Sequence, residues 1–332
     1  MLRCSLYFSV LCFVLIFSGP LAMPAFGLTL DHPPETTTQF SEPDMRLAKR
    51  GEGRKRRSGK RQQKKDSEGD SPSPASVPCA ECEGLDGFVS PDEISNEIRL
   101  MVGKAKGKQE QAVKIQKARG GIETGLEADF INDGECPQID SEQWAIDYSG
   151  KREGKPAIHK GVDIPQPIGT PIRAIAAGMV VGKFENADNR KGIEIMLRHT
   201  PEQTGLVYWT YSQYTHLRDM SPLAIGAPVE LGQEIGKTHN TGKMGRRIRR
   251  DALHMAILYS ESPDWSNEGR FVIPKDSFWM DPNAFYRLQG PYDSPSIEAL
   301  PSDQKEVPTP YMKPDGSFVP PGTKRIWPYP CE

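Results

Sequence analysis

Gly192-Ile-Glu-Ile-Met-Leu-Arg198 is the stretch that decides the fold. Ile193, Ile195 and Leu197 alternate with Glu194, Met196 and Arg198, the period of two that a half-buried β-strand requires. Short apolar runs lie on both sides of it, at Thr170 to Val181, Leu206 to Leu217, Ala227 to Thr238 and Ala252 to Tyr259, with turn-forming residues between them. Short runs broken by turns are an all-β pattern. Composition agrees, because Gly 31 and Pro 30 make up about 18% of the chain against an average of roughly 12%. That excess argues against a helical bundle. The fold class expected is mainly β: an antiparallel sheet or sandwich over residues 155–290, with a small helical segment before it and disordered basic and Pro-rich arms.

The chain has 332 residues, 36% of them hydrophobic, enough for one good core with accessory sequence or for two small domains. A mean hydropathy of −0.57 excludes a multi-pass membrane protein. The formal net charge of −2 averages over unequal parts, since Arg46 to Lys65 holds eleven Lys or Arg and one Glu.

At the N-terminus, Arg3 precedes the apolar stretch Cys4 to Phe17, and small residues follow at Gly19, Ala22, Ala25 and Gly27. This is the layout of a secretory signal peptide over residues 1–27, which places the mature chain outside the cytoplasm, in a periplasm, cell envelope or extracellular space, with no transmembrane segment after cleavage. Residues 28–89 read as a disordered basic linker. In an exported protein, Arg46 to Lys65 can hold the chain near anionic envelope polymers, whereas nucleic acid is not an expected partner. Residues 90–150 hold a small helical segment: Pro91-Asp92-Glu93 offers a helix start, and Ile94, Ile98, Met101 and Val102 recur at helical spacing until Gly120-Gly121. Residues 291–332 form a Pro-rich extension that reads as an extended arm, with Cys331 able to pin its end.

Signal removal leaves Cys79, Cys82, Cys136 and Cys331, an even number that in an oxidising compartment points to two disulfides with three possible connectivities. Cys79-Ala-Glu-Cys82 also fits a redox pair or half a zinc knuckle. No second such pair supports either alternative.

Five of the six histidines, His159, His199, His216, His239 and His254, fall within the β-rich region. In His159-Lys-Gly-Val-Asp163 a His and a carboxylate are four apart. Gly161 and the prolines at 165 and 167 disfavour a helix. Fully extended, the pair would be roughly 13 Å apart, too far to share an ion bound at about 2 Å, so a bend at Lys160-Gly161 is required.

From this pair onward, the order of short motifs resembles that of the lysostaphin-like, or LytM-type, zinc metallopeptidases that cut peptides of bacterial peptidoglycan. The landmarks are His159-Lys-Gly-Val-Asp163, Gly169-Thr-Pro-Ile-Arg-Ala174, Gly178-Met-Val180, Tyr214-Thr-His216-Leu217, Gly232-Gln-Glu-Ile-Gly236, Asn240-Thr-Gly242, Leu253-His254-Met255 and Asp281-Pro282. The resemblance covers residues 155–290. It implies a Zn2+ ion held by His159, Asp163 and His254 with a fourth position open for water. It also implies that His216 lies close to the metal as a catalytic residue. His239 falls in the family's active-site loop, where it is either a second catalytic residue or a surface histidine.

One departure matters. The family ends in His-x-His, two residues on one face of a strand, but here Ala252 stands two before His254. Asp251 is no obvious replacement, because a shift of one residue turns a side chain to the other face. The loop from Gly242 to Ala252 is longer than the family's and carries Arg246, Arg247, Arg249 and Arg250, either a solvated basic loop or a clamp for stem-peptide carboxylates. The function implied is an exported zinc metalloendopeptidase acting on peptidoglycan stem peptides or cross-links, weakened by Ala252. The alternative is a non-catalytic module that binds peptidoglycan or regulates another hydrolase.

Overall fold

The computed structural model describes residues 79–103, 107–140, 143–147, 156–186, 190–243 and 250–332. The expected signal peptide, the basic run Arg46–Lys65, and Arg246, Arg247 and Arg249 lie outside the described residues. Among those described, no helix is long and apolar enough to cross a membrane.

In chain order the main elements are α1 (Asn96–Val102), α2 (Gln109–Ala118), β1 (Glu127–Phe130), β2 (Val162–Pro165), β3 (Pro171–Arg173), β4 (Gly178–Asn186), β5 (Gly192–His199), β6 (Trp209–Leu217), β7 (Pro228–Val229), β8 (Glu234–Lys237), β9 (Ala252–Ser260), β10 (Trp265–Asn267), β11 (Val272–Pro274), β12 (Phe278–Met280) and β13 (Glu306–Thr309). The central antiparallel sheet runs β12-β9-β6-β5-β4-β7, and β2 also pairs with β9. Both edge partners lie along one side of β9: β2 takes the Ala252–Met255 half and β12 the Ile257–Tyr259 half. The chain is mainly β, as its alternating runs require.

The helical segment begins later than the acidic tripeptide suggests. Pro91–Glu93 is a single 3-10 turn, and α1 starts after Ser95, whose hydroxyl accepts from the Ile98 amide at 3.3 Å, an N-cap. Ile98, Met101 and Val102 are buried. After α2 the chain turns at Gly120, which has φ +89 and sits where a Cβ would come within 2.3 Å of the Trp279 carbonyl. Only glycine fits there.

Two expectations are corrected. The first is that β5 would be half-buried. Its polar residues are covered as well as its apolar ones: Glu194 is 1% and Arg198 3% exposed. Residues 79–89, placed in the expected linker, fold onto the sheet and meet Arg198, whereas Glu194 is held by Asn186 and Gln213. Arg198 pairs with Asp86 at 3.0 Å and lies 4.0 Å above the Trp209 ring. Trp265 donates from Nε1 to the Asp86 carbonyl. A buried charge needs such a partner.

The second is that residues 291–332 would be a disordered arm. Proline removes a backbone donor but leaves the carbonyls and the aromatic side chains free to dock. Here β13 pairs in parallel with β1. Trp327 is fully buried, packs edge-on to Phe130 with centroids 5.3 Å apart, and donates to the Pro137 carbonyl. Ile326 donates to Ile175, and Pro328 accepts from Arg173. Burying one indole of this kind contributes about 4–6 kcal/mol before entropic costs. The disulfides join Cys79 to Cys82 and Cys136 to Cys331.

Candidate metal centre

The register of β2 on β9 sets the site, because Asp163 is the direct partner of His254. The row continues through Thr215 on β6 to Glu194 on β5, and register partners share a face of the sheet. His159 lies just before β2, and its amide donates to the Ile146 carbonyl at 3.0 Å. The bend that the sequence requires occurs at Gly161. A Cβ there would meet the Met255 carbonyl at 2.3 Å and two atoms of the His254 ring at 2.9 Å, so the glycine lets the chain pass directly beneath that ring.

Three donor atoms converge. His159 Nε2 is 3.4 Å and His254 Nδ1 2.8 Å from Asp163 Oδ1, and the two nitrogens are 3.1 Å apart. Ligands about 2 Å from a tetrahedral ion would be separated by about 3.3 Å, so the triangle fits a zinc site with a fourth position open. Among the described residues, this is the group of three potential ligand side chains within 4.8 Å of one another. His159 Nδ1 lies 3.3 Å from the Gln143 carbonyl. With Nδ1 donating there, the Nε2 lone pair would face the cluster.

The electrostatics match a ligand set. Burial opposes ionisation of Asp163, but hydrogen bonds from His159 and His254 outweigh it and hold the carboxyl well below the usual range. Burial pushes the His254 imidazole down, against the pull of Asp163, which favours the neutral ring that binds a metal.

His216 is delivered by a β-bulge. Thr215 pairs with Glu194 and Leu217 with Ile193, so His216 is the extra residue. Its φ is +65, uncommon for a residue other than glycine, and such bulges re-aim side chains. Nδ1 lies 3.0 Å from the Thr241 carbonyl, and the ring centroid is 6.1 Å from that of His254. Thr241 in turn accepts from the Ile193 amide and donates to the Leu217 carbonyl, fastening the Asn240-Thr-Gly242 loop to the ends of β5 and β6.

His239 is not brought among the ligand atoms. Its carbonyl accepts from the Ala252 amide at 3.3 Å, and its Nδ1 is buried with no hydrogen-bond partner among the described residues. Ala252 lies on the face of β9 that carries His254, so only a methyl group occupies the position where the family has its second histidine. Asp251 accepts from Asn240. Arg250 pairs with Asp140, and of the four loop arginines it is the one among the described residues.

Several site residues carry no signal in the sequence. Gln143 acts through its backbone carbonyl, which no pattern of side chains reveals. Lys160 stands between His159 and Asp163, where its sequence context marks only a bend. Its Nζ lies 5.3 Å from the centroid of the Trp279 ring. Burial, and then the charge of Lys191, pushes its ammonium down to about 7. Lys191 in turn lies 5.0 Å over Phe271 and 3.5 Å from Glu194.

A family model described as Peptidase family M23 matches residues 157–264. No curated protein sequence matches the chain. Among solved structures, the catalytic domain of lysostaphin from Staphylococcus simulans is 27% identical, with 33% of this chain and 74% of that one covered and a TM-score of 0.25. A catalytic-domain variant of the prophage-encoded M23 protein EnpA from Enterococcus faecalis is 20% identical, with 43% and 93% covered and a TM-score of 0.29. A zinc containing peptidase from Vibrio cholerae is 21% identical, with 42% and 37% covered and a TM-score of 0.31, so this chain spans little more than a third of its length. His159, Asp163 and His254 all lie inside the matched stretch, and residues 157–264 form a domain of peptidase family M23.

Proposed function

We propose that this domain is an exported zinc endopeptidase that hydrolyses peptide bonds in peptidoglycan stem peptides or cross-links. The observation that carries the reading is the convergence of His159 Nε2, Asp163 Oδ1 and His254 Nδ1. These three residues would hold the ion. When bound, zinc lowers the pKa of its water and polarises the scissile carbonyl.

The remaining work falls to the chain. Asp163 and the Gln143 carbonyl keep the two imidazoles oriented before substrate arrives. His216, with Nδ1 turned to Thr241, presents Nε2 to hydrogen-bond the developing oxyanion or to relay a proton. The rigid β6–β9 ladder holds His216 and His254 in fixed relation, so little reorganisation is needed during reaction. The basic stretch Arg46–Lys65 would concentrate the enzyme on anionic envelope polymers, an attraction that salt weakens.

Ala252 favours a second reading, a module that keeps the fold and the metal and binds wall peptides or regulates another hydrolase without turnover. Losing one general-base partner typically costs about 10²–10⁴-fold, a slowed enzyme rather than an abolished one. The test is release of new amino termini from purified peptidoglycan by protein carrying one zinc per chain. Turnover abolished by His159→Ala supports the enzyme. Stoichiometric zinc without turnover, with turnover gained in Ala252→His, establishes the binding module instead.

A further inference from the structure

His216 is held by its backbone as well as by its ring. As the extra residue of the β6 bulge it has no register partner on β5, and its amide donates instead to the Lys191 carbonyl at 3.0 Å. Its ring meets the Thr241 carbonyl through Nδ1. A non-glycine residue at φ +65 keeps that shape only when its surroundings impose it. The direction of the imidazole therefore depends on where residue 191 puts its carbonyl.

The backbone at that point has little stiffness of its own. Gly192, the next residue, has φ +67 and passes so close to the loop that a Cβ would come within 2.3 Å of the Thr241 carbonyl carbon. Glycine is needed there, and glycine leaves the chain permissive. What holds Lys191 is its side chain, which is fixed from two sides. Its Nζ is 3.5 Å from Glu194, which is 1% exposed. A carboxylate so buried is costly unless paired. Asn186 Nδ2 at 2.8 Å and Gln213 Nε2 at 2.9 Å supply hydrogen bonds without charge, and Lys191 supplies the cation. On the other side, Nζ lies 5.0 Å from the centroid of the Phe271 ring, a cation–π contact.

Phe271 is itself anchored. It sits in the turn between β10 and β11, where its carbonyl accepts from the Glu268 amide at 2.9 Å, and the Glu268 carboxylate pairs with Arg99 of α1 at 2.9 Å. Both Phe271 and α1 lie outside residues 157–264.

We infer that Lys191 is a positioning residue for His216: Glu194 and Phe271 clamp its side chain, and its carbonyl carries that constraint to the bulge. The inference rests on the role given to His216 in the peptidase reading. It brings the β10–β11 turn, and through Arg99 the helical segment, into the alignment of the centre.

The test uses the zinc-loaded protein and two readouts. The first, independent of turnover, is hydrogen exchange of the His216 amide followed by NMR, with the amides of the β6–β9 ladder as internal reference. In Lys191→Met the His216 amide is expected to exchange about 10-fold faster, the weight of one hydrogen bond, while the reference amides keep their rates. Phe271→Leu should give the same change to a smaller degree, and it carries the comparison if Lys191→Met does not fold. The second readout is turnover on peptidoglycan. In Lys191→Met, kcat should fall about 10- to 100-fold with KM unchanged, and the same substitution in His216→Asn protein should cost nothing further. An unchanged His216 amide in the folded variants, acceleration spread evenly over the reference amides, or an equal loss of turnover with and without His216 would each overturn the inference. A protein without turnover refutes the peptidase reading, and the exchange rates still decide whether Lys191 holds the bulge.

Discussion

Asp163 and His254 face each other across the β2–β9 ladder, with Oδ1 and Nδ1 2.8 Å apart and the two residues in direct register. A metal site built on a strand pair inherits the precision of the sheet. Its third member, His159, is the only one whose position depends on a turn. The variants that probe the site best therefore alter that turn and spare the ligands.

Gly161→Ala is the sharpest of these. The added methyl group would collide with the His254 ring and with the Met255 carbonyl, a backbone group of the ladder. We expect zinc affinity to fall by about 10- to 100-fold, the range seen when groups supporting a metal ligand are disturbed, and stability to fall by about 1–3 kcal/mol. Competition with a chromogenic chelator measures the first and urea unfolding the second. Zinc affinity equal to the unmodified protein's would show that the glycine is not needed under the ring.

His216→Asn separates catalysis from metal binding. Asparagine tolerates the positive φ of the bulge, so the backbone keeps its path while the imidazole is lost. Turnover on peptidoglycan should drop by about 10²–10⁴-fold with one zinc per chain retained. An unchanged rate would remove His216 from the mechanism.

Trp327→Ala tests whether the Pro-rich extension belongs to the core. The indole packs on Phe130 and Tyr286 and is fully buried, so its loss should cost about 3–5 kcal/mol. Denaturant titration reads this directly. A cost below about 1 kcal/mol would mean that the extension is peripheral.

His199 makes stability depend on pH. Burial lowers its imidazole from 6.5 to about 4, against an opposing hydrogen bond to the Ala177 carbonyl. Between those values the unfolded chain binds a proton that the folded chain excludes, so stability rises with pH across the window. The loss on acidifying from above 6.5 to about 4 is on the order of 3 kcal/mol. His199→Gln should flatten this slope in unfolding measurements at about pH 7 and about pH 4.5. A slope identical to that of the unmodified protein would assign the acid sensitivity elsewhere.

The strands and ligands were legible because both depend on local spacing. Ile193, Ile195 and Leu197 announce a strand by alternation, and His159, Asp163 and His254 announce donors by residue type. Whether Arg198 meets water was not legible, since that depends on Asp86 and Trp265, far away in the chain. Nor was the docking of Trp327, because a Pro-rich composition reports the lack of helix and sheet donors and says nothing about where aromatic rings pack. Lys160 shows the same limit at the site. Its neighbours in sequence offer donor atoms, but its contact with the Trp279 ring becomes visible only in the fold.

The bond between Cys136 and Cys331 spans 195 residues, and β1 waits for β13 to arrive as its partner. A ribosome that has delivered everything through β12 has already made all three ligands, yet it has not made the indole that seals the core beside Phe130. Closure of this core thus waits for Trp327, and truncation ahead of that residue leaves the hydrophobic interior open.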